Sequence, residues 1–299
     1  MRKGWLNNET IHSLASSRNY TGNDAIDNVD NYIKEWWGVE LNKIYNEDCL
    51  EGMKKLESDS VDLVVTSPPY DDLRMYKGYV FDFEQTANEL YRVIKDGGII
   101  VWIVSDATIK GSETGTSFKQ ALYFKEIGFN LHDTMIYLKD NPPPVGGNNR
   151  YYQTFEYMFV FTKGKPKTFN PIIVERRNKY NDKRTERIRT VTRDKNGDFG
   201  NKKRIKINTH VKKRNVWTYV VGGGNITENK KNYNHPAIFP YQLAKDCILS
   251  WSNENDIILD PFIGSGTTAI ACINTNRDYV GFEVSEEYCD IANDRINSY

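Results

Sequence analysis

Two kinds of hydrophobic spacing alternate along the chain from residue 41 onward. Short apolar runs rich in β-branched residues are typical of buried strands, whereas apolar residues three and four positions apart are typical of helices. The runs predict strands at 42–46, 61–66, 99–104, 131–138, 155–161, 257–259 and 279–283. The helical spacing predicts helices at 49–56, 81–94, 117–127, 236–251, 267–274 and 286–296, with a turn at 95–98. Strands that alternate with helices in this way indicate βαβ units and a mostly parallel α/β sheet.

The strand predicted at 61–66 ends abruptly, because two prolines follow it. Proline cannot donate a hydrogen bond to a sheet, and it forces the residue before it into an extended conformation. Ser67, Pro68, Pro69 and Tyr70 are therefore predicted to form a stiff loop at the carboxyl end of the strand. Ligands of open α/β sheets bind at that edge. The loop offers a hydroxyl, free carbonyls and an aromatic ring, which suit a flat polar group.

Composition limits the kind of protein that the chain can be. Its 299 residues are 39% hydrophobic and 13% aromatic, which is typical of a globular protein with one large domain or two modest ones. It contains no apolar run of about 18 residues, the length of a membrane span. Its start lacks an apolar signal core. Its four cysteines are scattered, which favours neither a disulfide framework nor a metal site. We therefore expect a reduced, cytoplasmic protein that holds no metal.

The zero net charge hides a basic segment within an acidic chain. Residues 163–214 contain 19 Lys and Arg against 5 Asp and Glu, a net charge of +14. A basic segment on an acidic body favours a polyanion as partner, although a solvated insertion remains the alternative. Three glycines at 222–224 indicate a hinge or boundary after it.

A second loop, between the strand at 257–259 and the helix at 267–274, favours a nucleoside-containing ligand. Gly264 and Gly266 permit a tight turn and close approach of a ligand to the backbone at a helix N-terminus. The next strand ends at Glu283, 23 residues after Asp260. An acid at the end of the second strand commonly binds ribose hydroxyls.

Three kinds of ligand fit this loop to different degrees. A P-loop requires a lysine, and no lysine lies between Asp260 and Asn276. A nicotinamide cofactor stays open, although the Asp260 carboxylate would repel its pyrophosphate. The same carboxylate suits a nucleoside that carries an ammonium group, as S-adenosylmethionine does. An ordinary βα turn with an incidental acid also stays open.

Taken together, the two loops resemble the DNA amino-methyltransferases, and more narrowly their permuted β group of the TSPPY type. The resemblance covers about 41–164 and 215–299, and its motifs occur in the family's order. The motifs are SPPY at 67–70, DPFIGSGTT at 260–268, NEDC at 46–49, RVIKDGG at 92–98, NHPAIFP at 234–240 and GFE at 281–283.

The resemblance implies a fold and a division of the chain. The expected fold is a Rossmann-like, seven-stranded, mostly parallel sheet, the class I methyltransferase fold in circularly permuted order. The expected regions are a catalytic half at 41–164, an inserted target-recognition region at 165–230 and a cofactor-binding half at 231–299. Outside the resemblance, the helix-like spacing of apolar residues at 24–37 predicts an N-terminal helical extension at 1–40. Joining the last helix to the strand near Ile44 would complete one sheet.

The resemblance also implies a reaction at the first loop. Ser67 Oγ and the Pro68 carbonyl would accept hydrogen bonds from an exocyclic amino group, with Pro69 shaping the loop and Tyr70 stacking on a flipped base. The SPPY form favours the 4-amino group of cytosine, with the 6-amino group of adenine as the alternative. Methylation at carbon 5 of cytosine requires a cysteine nucleophile, usually beside a proline, and no cysteine here follows one.

On the cofactor side, the resemblance implies binding of S-adenosylmethionine. Asp260 would lie near its ammonium group, Glu283 would bind the ribose and Asp48 would contact the adenine. The remaining expected cofactor residues are Cys49, Thr66, His235, Phe239, Phe262, Gly264, Gly266 and Thr267. A helix-start role is equally compatible with His235.

The expected partner is double-stranded DNA, together with a possible cognate restriction endonuclease. Arg150 and Glu156 match family positions but are interpreted as structural ion-pair partners. Protein glutamine methyltransferases, RNA methyltransferases and a catalytically dead DNA-binding protein are the rival classes. The order of the two loops and the intact acceptor residues disfavour them.

Overall fold

A computed structural model of the chain describes residues 39–69, 81–142, 149–176, 186–189, 203–206, 208–221 and 240–298. The described residues divide into two compact units, and Pro171–Arg214 is the smaller one. The predicted N-terminal helix at 24–37 lies outside the described residues. Among the helices that are described, none is long and apolar enough to cross a membrane.

The helices and strands follow the predicted order closely. The strands are β1 (Lys43–Tyr45), β2 (Val61–Thr66), β3 (Ile94–Val104), β4 (Thr108–Ile109), β5 (Ser112–Glu113), β6 (Asn130–Lys139), β7 (Phe155–Thr162), β8 (Ile173–Glu175), β9 (Glu186–Arg189), β10 (Lys203–Lys206), β11 (His210–Lys212), β12 (Val216–Tyr219), β13 (Ile257–Asp260) and β14 (Asp278–Phe282). The helices are α1 (Cys49–Met53), α2 (Phe83–Val93), α3 (Thr116–Glu126), α4 (Tyr241–Trp251), α5 (Thr267–Ile273) and α6 (Glu286–Asn297).

The larger unit is built on one eight-stranded sheet with the order β1-β14-β13-β2-β3-β7-β6-β12. Strand β7 is antiparallel to both neighbours, and every other adjacent pair is parallel. The predicted mostly parallel α/β fold is therefore confirmed. At one edge of the sheet, β1, the first described strand, pairs with β14, the last one, and Ile44 lies opposite Gly281.

The sheet has one strand more than the seven predicted, because β12 adds to β6. Only two residues of β12, Trp217 and Tyr219, are buried, so the alternation of buried and exposed positions is too short to predict a strand from the sequence. Trp217 stacks on Trp251 of α4 at 5.8 Å between ring centroids. The Tyr219 hydroxyl donates to the buried Asp246 carboxylate of α4 at 2.6 Å. These contacts with a distant helix hold the strand on the sheet.

The part of the core between β3, β7, α2 and α3 is rich in aromatic residues. Trp102, Phe124 and Phe161 are fully buried. The Phe124 ring lies 5.1 Å from Trp102 and 4.6 Å from Phe161. The polar edge of Trp102 is satisfied by Gln120 Oε1, which accepts from the indole Nε1–H at 2.9 Å. Such a close-packed core gives the ends of β2 and β3 fixed positions.

The turn predicted at 95–98 is wrong, since β3 already begins at Ile94. Val61 of β2 pairs with Ile94, and Leu63 pairs with Ile99, so the extra residues bulge out of the sheet. Gly97 has a φ of +79°, which a glycine adopts without strain. The glycine pair therefore marks an irregularity inside a strand.

Helix α4 begins later than the predicted residue 236, because Pro240 is extended and Tyr241 is the first helical residue. Residues 236–239 lie outside the described part of the chain.

The smaller unit contains two antiparallel strand pairs. Strand β8 pairs with β11, with Val174 opposite Val211, and β9 pairs with β10, with Arg189 opposite Lys203. The basic segment shows no hydrophobic period, so the sequence does not predict these strands. Pairs of this kind are held by backbone hydrogen bonds, which leave no apolar pattern.

We expect Tyr219→Phe to lower the free energy of unfolding by about 1–3 kcal/mol, because a buried carboxylate loses a hydrogen-bond donor. Urea denaturation of wild type and variant measures the difference. Tyr151→Phe is the matched control, since Tyr151 is fully exposed. Equal stability of the two variants would contradict the account of how β12 is held.

Candidate active site

The predicted site residues meet at the carboxyl ends of four adjacent strands. Strand β13 lies between β14 and β2, with Asp260 opposite Gly281 and Leu259 opposite Val64. Strand β1 lies on the far side of β14, with Tyr45 opposite Phe282. The residues that follow these strand ends therefore share one edge. They are Asp48 after β1, Ser67 after β2, Asp260 at the end of β13 and Glu283 after β14.

The Asp260 carboxylate joins the two predicted loops. It accepts hydrogen bonds from Thr66 Oγ1 and Thr268 Oγ1, each at 2.6 Å, and from the Phe262 backbone N–H at 3.1 Å. Thr66 is the last residue of β2, and Thr268 lies in the first turn of α5. Asp260 is 1% exposed, so these bonds form out of water. One carboxylate thereby fixes the start of the proline loop, the glycine loop and a helix relative to one another.

Burial raises the pKa of Asp260 to about 6, although the hydrogen bonds from Thr268, Thr66 and Phe262 act in the opposite direction. The ionised carboxylate is thus only partly compensated by its neighbours. A cation beside it would favour the ionised form.

The glycine loop is held by residues from outside it. Gly264 and Gly266 have φ values of +51° and +81°, which are strained for other residues. Arg295 of α6 donates to the backbone oxygen of Ser265 and, at 2.9 Å, to its hydroxyl. The Ile263 N–H donates to the Phe282 carbonyl at 3.0 Å. The loop is therefore a rigid cradle at the N-terminus of α5.

The cradle contains a buried hydroxyl that the described residues leave unsatisfied. Thr267 Oγ1 makes no hydrogen bond to any part of the described chain, and Thr267 is 3% exposed. An unsatisfied buried polar group costs about 1–3 kcal/mol. A ligand with a polar group at this point would remove that cost, so the cradle fits a cofactor with polar substituents.

Glu283 faces the same cradle. Its Oε2 accepts from the Gly264 N–H at 3.1 Å, and its Oε1 accepts from the Ser285 N–H at 2.8 Å. Burial raises its pKa, and the two backbone hydrogen bonds act in the opposite direction. Because a carboxylate has about four acceptor positions, each oxygen retains capacity to accept from a ligand hydroxyl.

Asp48 and Cys49 divide between the edge and the core. Asp48 Oδ1 caps α1 by accepting from the N–H groups of Leu50 at 2.8 Å and Glu51 at 3.4 Å. Cys49 is 2% exposed and belongs to the hydrophobic core. The Asp48 carboxylate therefore lies at the edge of the sheet, whereas the Cys49 thiol is buried in the hydrophobic core.

The proline loop begins as predicted, since β2 ends at Thr66. Thr66 and Pro68 are buried, whereas Ser67 and Pro69 are half-buried.

The half-buried Phe262 ring packs edge-on against Phe81 at 5.1 Å. Three predicted site residues, Tyr70, His235 and Phe239, lie outside the described residues.

Sequence reasoning misses two residues that hold the site and one contact of a third. Thr66 is expected among the cofactor residues, and the contact that the sequence does not predict is the hydrogen bond from its hydroxyl to Asp260. Thr268 and Arg295 are not predicted at all, since their contacts depend on the packing of α5 and α6. A threonine in the first turn after a glycine loop is a weak signal that could have indicated Thr268.

Arg150 and Glu156 take part in ion pairs, as the structural interpretation expects. The buried Glu156 pairs with Lys139 at 2.7 Å, and Arg150 lies 3.9 Å from Glu113. In the part of the chain that the structure describes, no three His, Cys, Asp or Glu side chains are grouped to hold a metal ion.

Comparison with known proteins identifies the family. The DNA methylase family N6_N4_Mtase matches residues 61–294. The orphan methyltransferase M.BamHII of Bacillus amyloliquefaciens is 56% identical over 242 residues, which are 80% of this chain and 90% of that protein. The type II methyltransferase M.BglII of Bacillus subtilis is 30% identical over 262 residues, 84% of this chain and 68% of that protein. The chain therefore belongs to the N6/N4 DNA methylase family and is a DNA methyltransferase.

Solved structures agree on the fold. The cytosine-N4-specific PvuII DNA methyltransferase superposes with a TM-score of 0.60 at 20% identity and 85% coverage of each chain. The complex of M1.HpyAVI with S-adenosylmethionine superposes with a TM-score of 0.55 at 24% identity, covering 85% of this chain and 98% of that one. The fold is that of class I methyltransferases.

The raised pKa of Asp260 implies that the free energy of unfolding depends on pH. Because its pKa rises from 3.8 to about 6 on folding, its ionisation disfavours the folded state. This contribution to stability is lost as the pH rises through about 6. We expect the free energy of unfolding of wild type, relative to Asp260→Asn, to fall by on the order of 3 kcal/mol between about pH 4 and pH 7.

Urea denaturation at a series of pH values measures the difference. Asp290→Asn, at an exposed position of α6, gives the baseline for losing one surface carboxylate. A difference between wild type and Asp260→Asn that does not change with pH would contradict the account of the buried carboxylate.

Proposed function

We propose that this methyltransferase transfers the methyl group of S-adenosylmethionine to the 4-amino group of a cytosine flipped out of double-stranded DNA. The observation that carries the proposal is the hydrogen bonding of Asp260, which fixes the glycine loop beside the proline loop. A donor cradle and an acceptor loop in fixed contact are what a direct transfer requires.

The residues around the glycine loop fit the cofactor. Thr267 Oγ1 is a buried hydroxyl in need of a polar partner, and Glu283 can accept from ribose hydroxyls. Asp260 is a partly compensated carboxylate suited to an ammonium group. Gly264 and Gly266 form the backbone cradle. Phe262 would pack along the ligand and Asp48 would contact the adenine. When bound, S-adenosylmethionine supplies an activated methyl group on its sulfonium.

The proline loop would prepare the amino group. Its nitrogen lone pair is delocalised into the base, so the nitrogen is a weak nucleophile. Ser67 Oγ and the Pro68 carbonyl would accept its hydrogen bonds and favour a pyramidal nitrogen whose lone pair faces the donor. Pro69 would keep the loop stiff, and Tyr70 would stack on the base. These effects are positioning and electrostatic stabilisation, and no covalent intermediate is needed. All four cysteines are buried, which agrees with a mechanism that uses no thiol.

Cytosine is favoured over adenine by the SPPY sequence at 67–70. The family includes both N6 and N4 methylases, so the 6-amino group of adenine is the alternative. The similarity to M.BamHII, which is described as an orphan methyltransferase, supports a function without a cognate endonuclease. A function beside a cognate endonuclease is the alternative.

The proposed target-recognition region is 165–230, which includes the compact unit Pro171–Arg214. Its charge supports contact with the phosphate backbone. The remaining proposed regions are 41–164 for catalysis and 231–299 for cofactor binding.

Transfer of a labelled methyl group to DNA that lacks methylation, followed by identification of the modified nucleoside, tests the proposed function. We expect N4-methylcytosine. N6-methyladenine as the product would establish the alternative base and overturn the choice of cytosine.

Ser67→Ala is expected to lower the rate of methyl transfer at least about 100-fold, because a hydrogen-bond acceptor aimed at developing charge contributes on that order. The affinity for S-adenosylmethionine, measured by calorimetry, should remain within about twofold, because the cofactor cradle lies on other strands. Ser58→Ala, before β2 instead of after it, is the matched control. A fully active Ser67→Ala enzyme would remove this residue from the mechanism.

DNA binding should weaken steeply with salt, because a segment of net charge +14 releases phosphate counterions. We expect the double variant Lys212→Gln/Lys213→Gln to reduce the slope of log affinity against log salt by about 1–2. The double variant Lys119→Gln/Lys125→Gln on α3 is the control and should keep the wild-type slope. A flat salt response of the wild type would show that the basic segment does not contact DNA.

A further inference from the structure

A pair of polar side chains lies beside the proline loop, on the side away from the cofactor cradle. Gln153 Nε2 donates to Ser105 Oγ at 3.2 Å, and both residues are half-buried. Ser105 follows β3 directly, and Gln153 lies two positions before β7. We propose that these two side chains contact the target base and read its Watson–Crick edge.

Sheet register puts the pair next to the catalytic loop. Thr66 of β2 lies opposite Trp102 of β3, and β3 continues past this pair to Val104. Val104 in turn lies opposite Tyr157, which brings the start of β7 to the end of β3. Neighbouring strands are about 4.8 Å apart, so the strand that leads into Ser105 is the neighbour of the strand that leads into Ser67 and Pro68.

The order of strands indicates the side of β2 on which the base would lie. The cofactor candidates follow β13, β14 and β1, which are all on one side of β2. Strands β3 and β7 are on the other side. A methyl donor on the cofactor side would approach the amino nitrogen along its lone pair, over one face of the base, which leaves the β3 and β7 side of the loop for the edge of the ring. The ring would then meet Ser105 and Gln153.

The chemistry of the pair suits cytosine. An amide nitrogen has two N–H donors, and Gln153 uses one of them on Ser105. The second N–H of Gln153 would donate to the acceptor next to the amino group, and the hydroxyl of Ser105 would donate to the acceptor beyond it. Beside its amino group cytosine presents two acceptors, N3 and O2, whereas adenine presents one acceptor, N1, followed by a C–H group. Two donors therefore match the edge of cytosine better than that of adenine.

Both sides of the pair are held rigidly, as a reading site requires. Asp106, next to Ser105, is buried and accepts from the Ser117 N–H at 2.9 Å and the Ser117 hydroxyl at 2.5 Å. On the other strand, the Lys139 N–H donates to the Thr154 carbonyl at 2.7 Å. These contacts hold the neighbours of Ser105 and Gln153 in place and thereby position the pair.

The experiment uses Gln153→Ala, Gln153→Glu and Ser105→Ala in the full chain. The substrates are a duplex with the target cytosine and the same duplex with 3-deazacytosine, which lacks the N3 acceptor. We expect Gln153→Ala and Gln153→Glu to lower kcat/KM on cytosine by about 10- to 100-fold, as for loss of a base contact. The affinity for S-adenosylmethionine should stay within about twofold. On 3-deazacytosine, wild type and both Gln153 variants should be equally slow, because the contact is already missing.

Asn130→Ala is the control, since Asn130 also donates from its amide, to the Gly164 carbonyl, but at the opposite edge of the sheet. Gln153 variants that lose the same factor on both substrates would overturn the proposal and indicate a structural role. Gln153→Glu keeps the size of the side chain and tests the proposal if Gln153→Ala folds poorly.

The inference rests on the proposed acceptor role of Ser67, and the two can fail separately. If wild type methylates adenine, the choice of cytosine fails, and the same comparison with 1-deazaadenine tests Gln153. If wild type discriminates against the deaza base but the Gln153 variants discriminate equally, the reading role of Gln153 fails while the proposed function stands.

Discussion

The hydrogen bonds that meet at the Asp260 carboxylate are the constraint on which the active site depends. A carboxylate that is 1% exposed loses hydration, and two threonine hydroxyls and one backbone N–H replace part of it. Because Thr66 directly precedes the proline loop and Thr268 lies in the first turn of α5, their common acceptor fixes the proline loop relative to the glycine loop. Burial leaves the pKa of Asp260 raised to about 6, so the carboxylate is less stable in the apo protein than it would be beside a cation.

The sheet supplies the frame for this constraint. Four adjacent strand ends carry the proposed cofactor residues and the proposed catalytic loop, and Ser105 and Gln153 adjoin the next strands. The permuted chain order does not disturb the arrangement, since β1 pairs with β14 as a neighbouring strand would. With the proposed site residues, substrate and cofactor would approach β2 from opposite sides, as a direct transfer between them requires.

Much of this frame can be predicted from the sequence, because local chemistry determines it. The structure confirms β2 residue for residue, since an apolar run followed by two prolines must end there. The glycine loop is equally local, and Gly264 and Gly266 have the positive φ values that their residue type permits. Contacts between distant residues cannot be predicted in this way. Thr66 and Asp260 are 194 positions apart, and Gln153 and Ser105 are 48 apart. Strand β12 escapes prediction for the same reason, because Trp251 and Asp246 of α4 hold it in place.

A crystal structure of the protein with its target duplex and a non-reactive analogue of S-adenosylmethionine tests the central claim most directly. The account predicts an exocyclic amino group within about 3 Å of Ser67 Oγ and the Pro68 carbonyl. It also predicts that the analogue lies in the cradle between Gly264 and Glu283, on the opposite side of β2 from the base. An amino group bound away from Ser67, or an analogue on the β3 side of the loop, would contradict it.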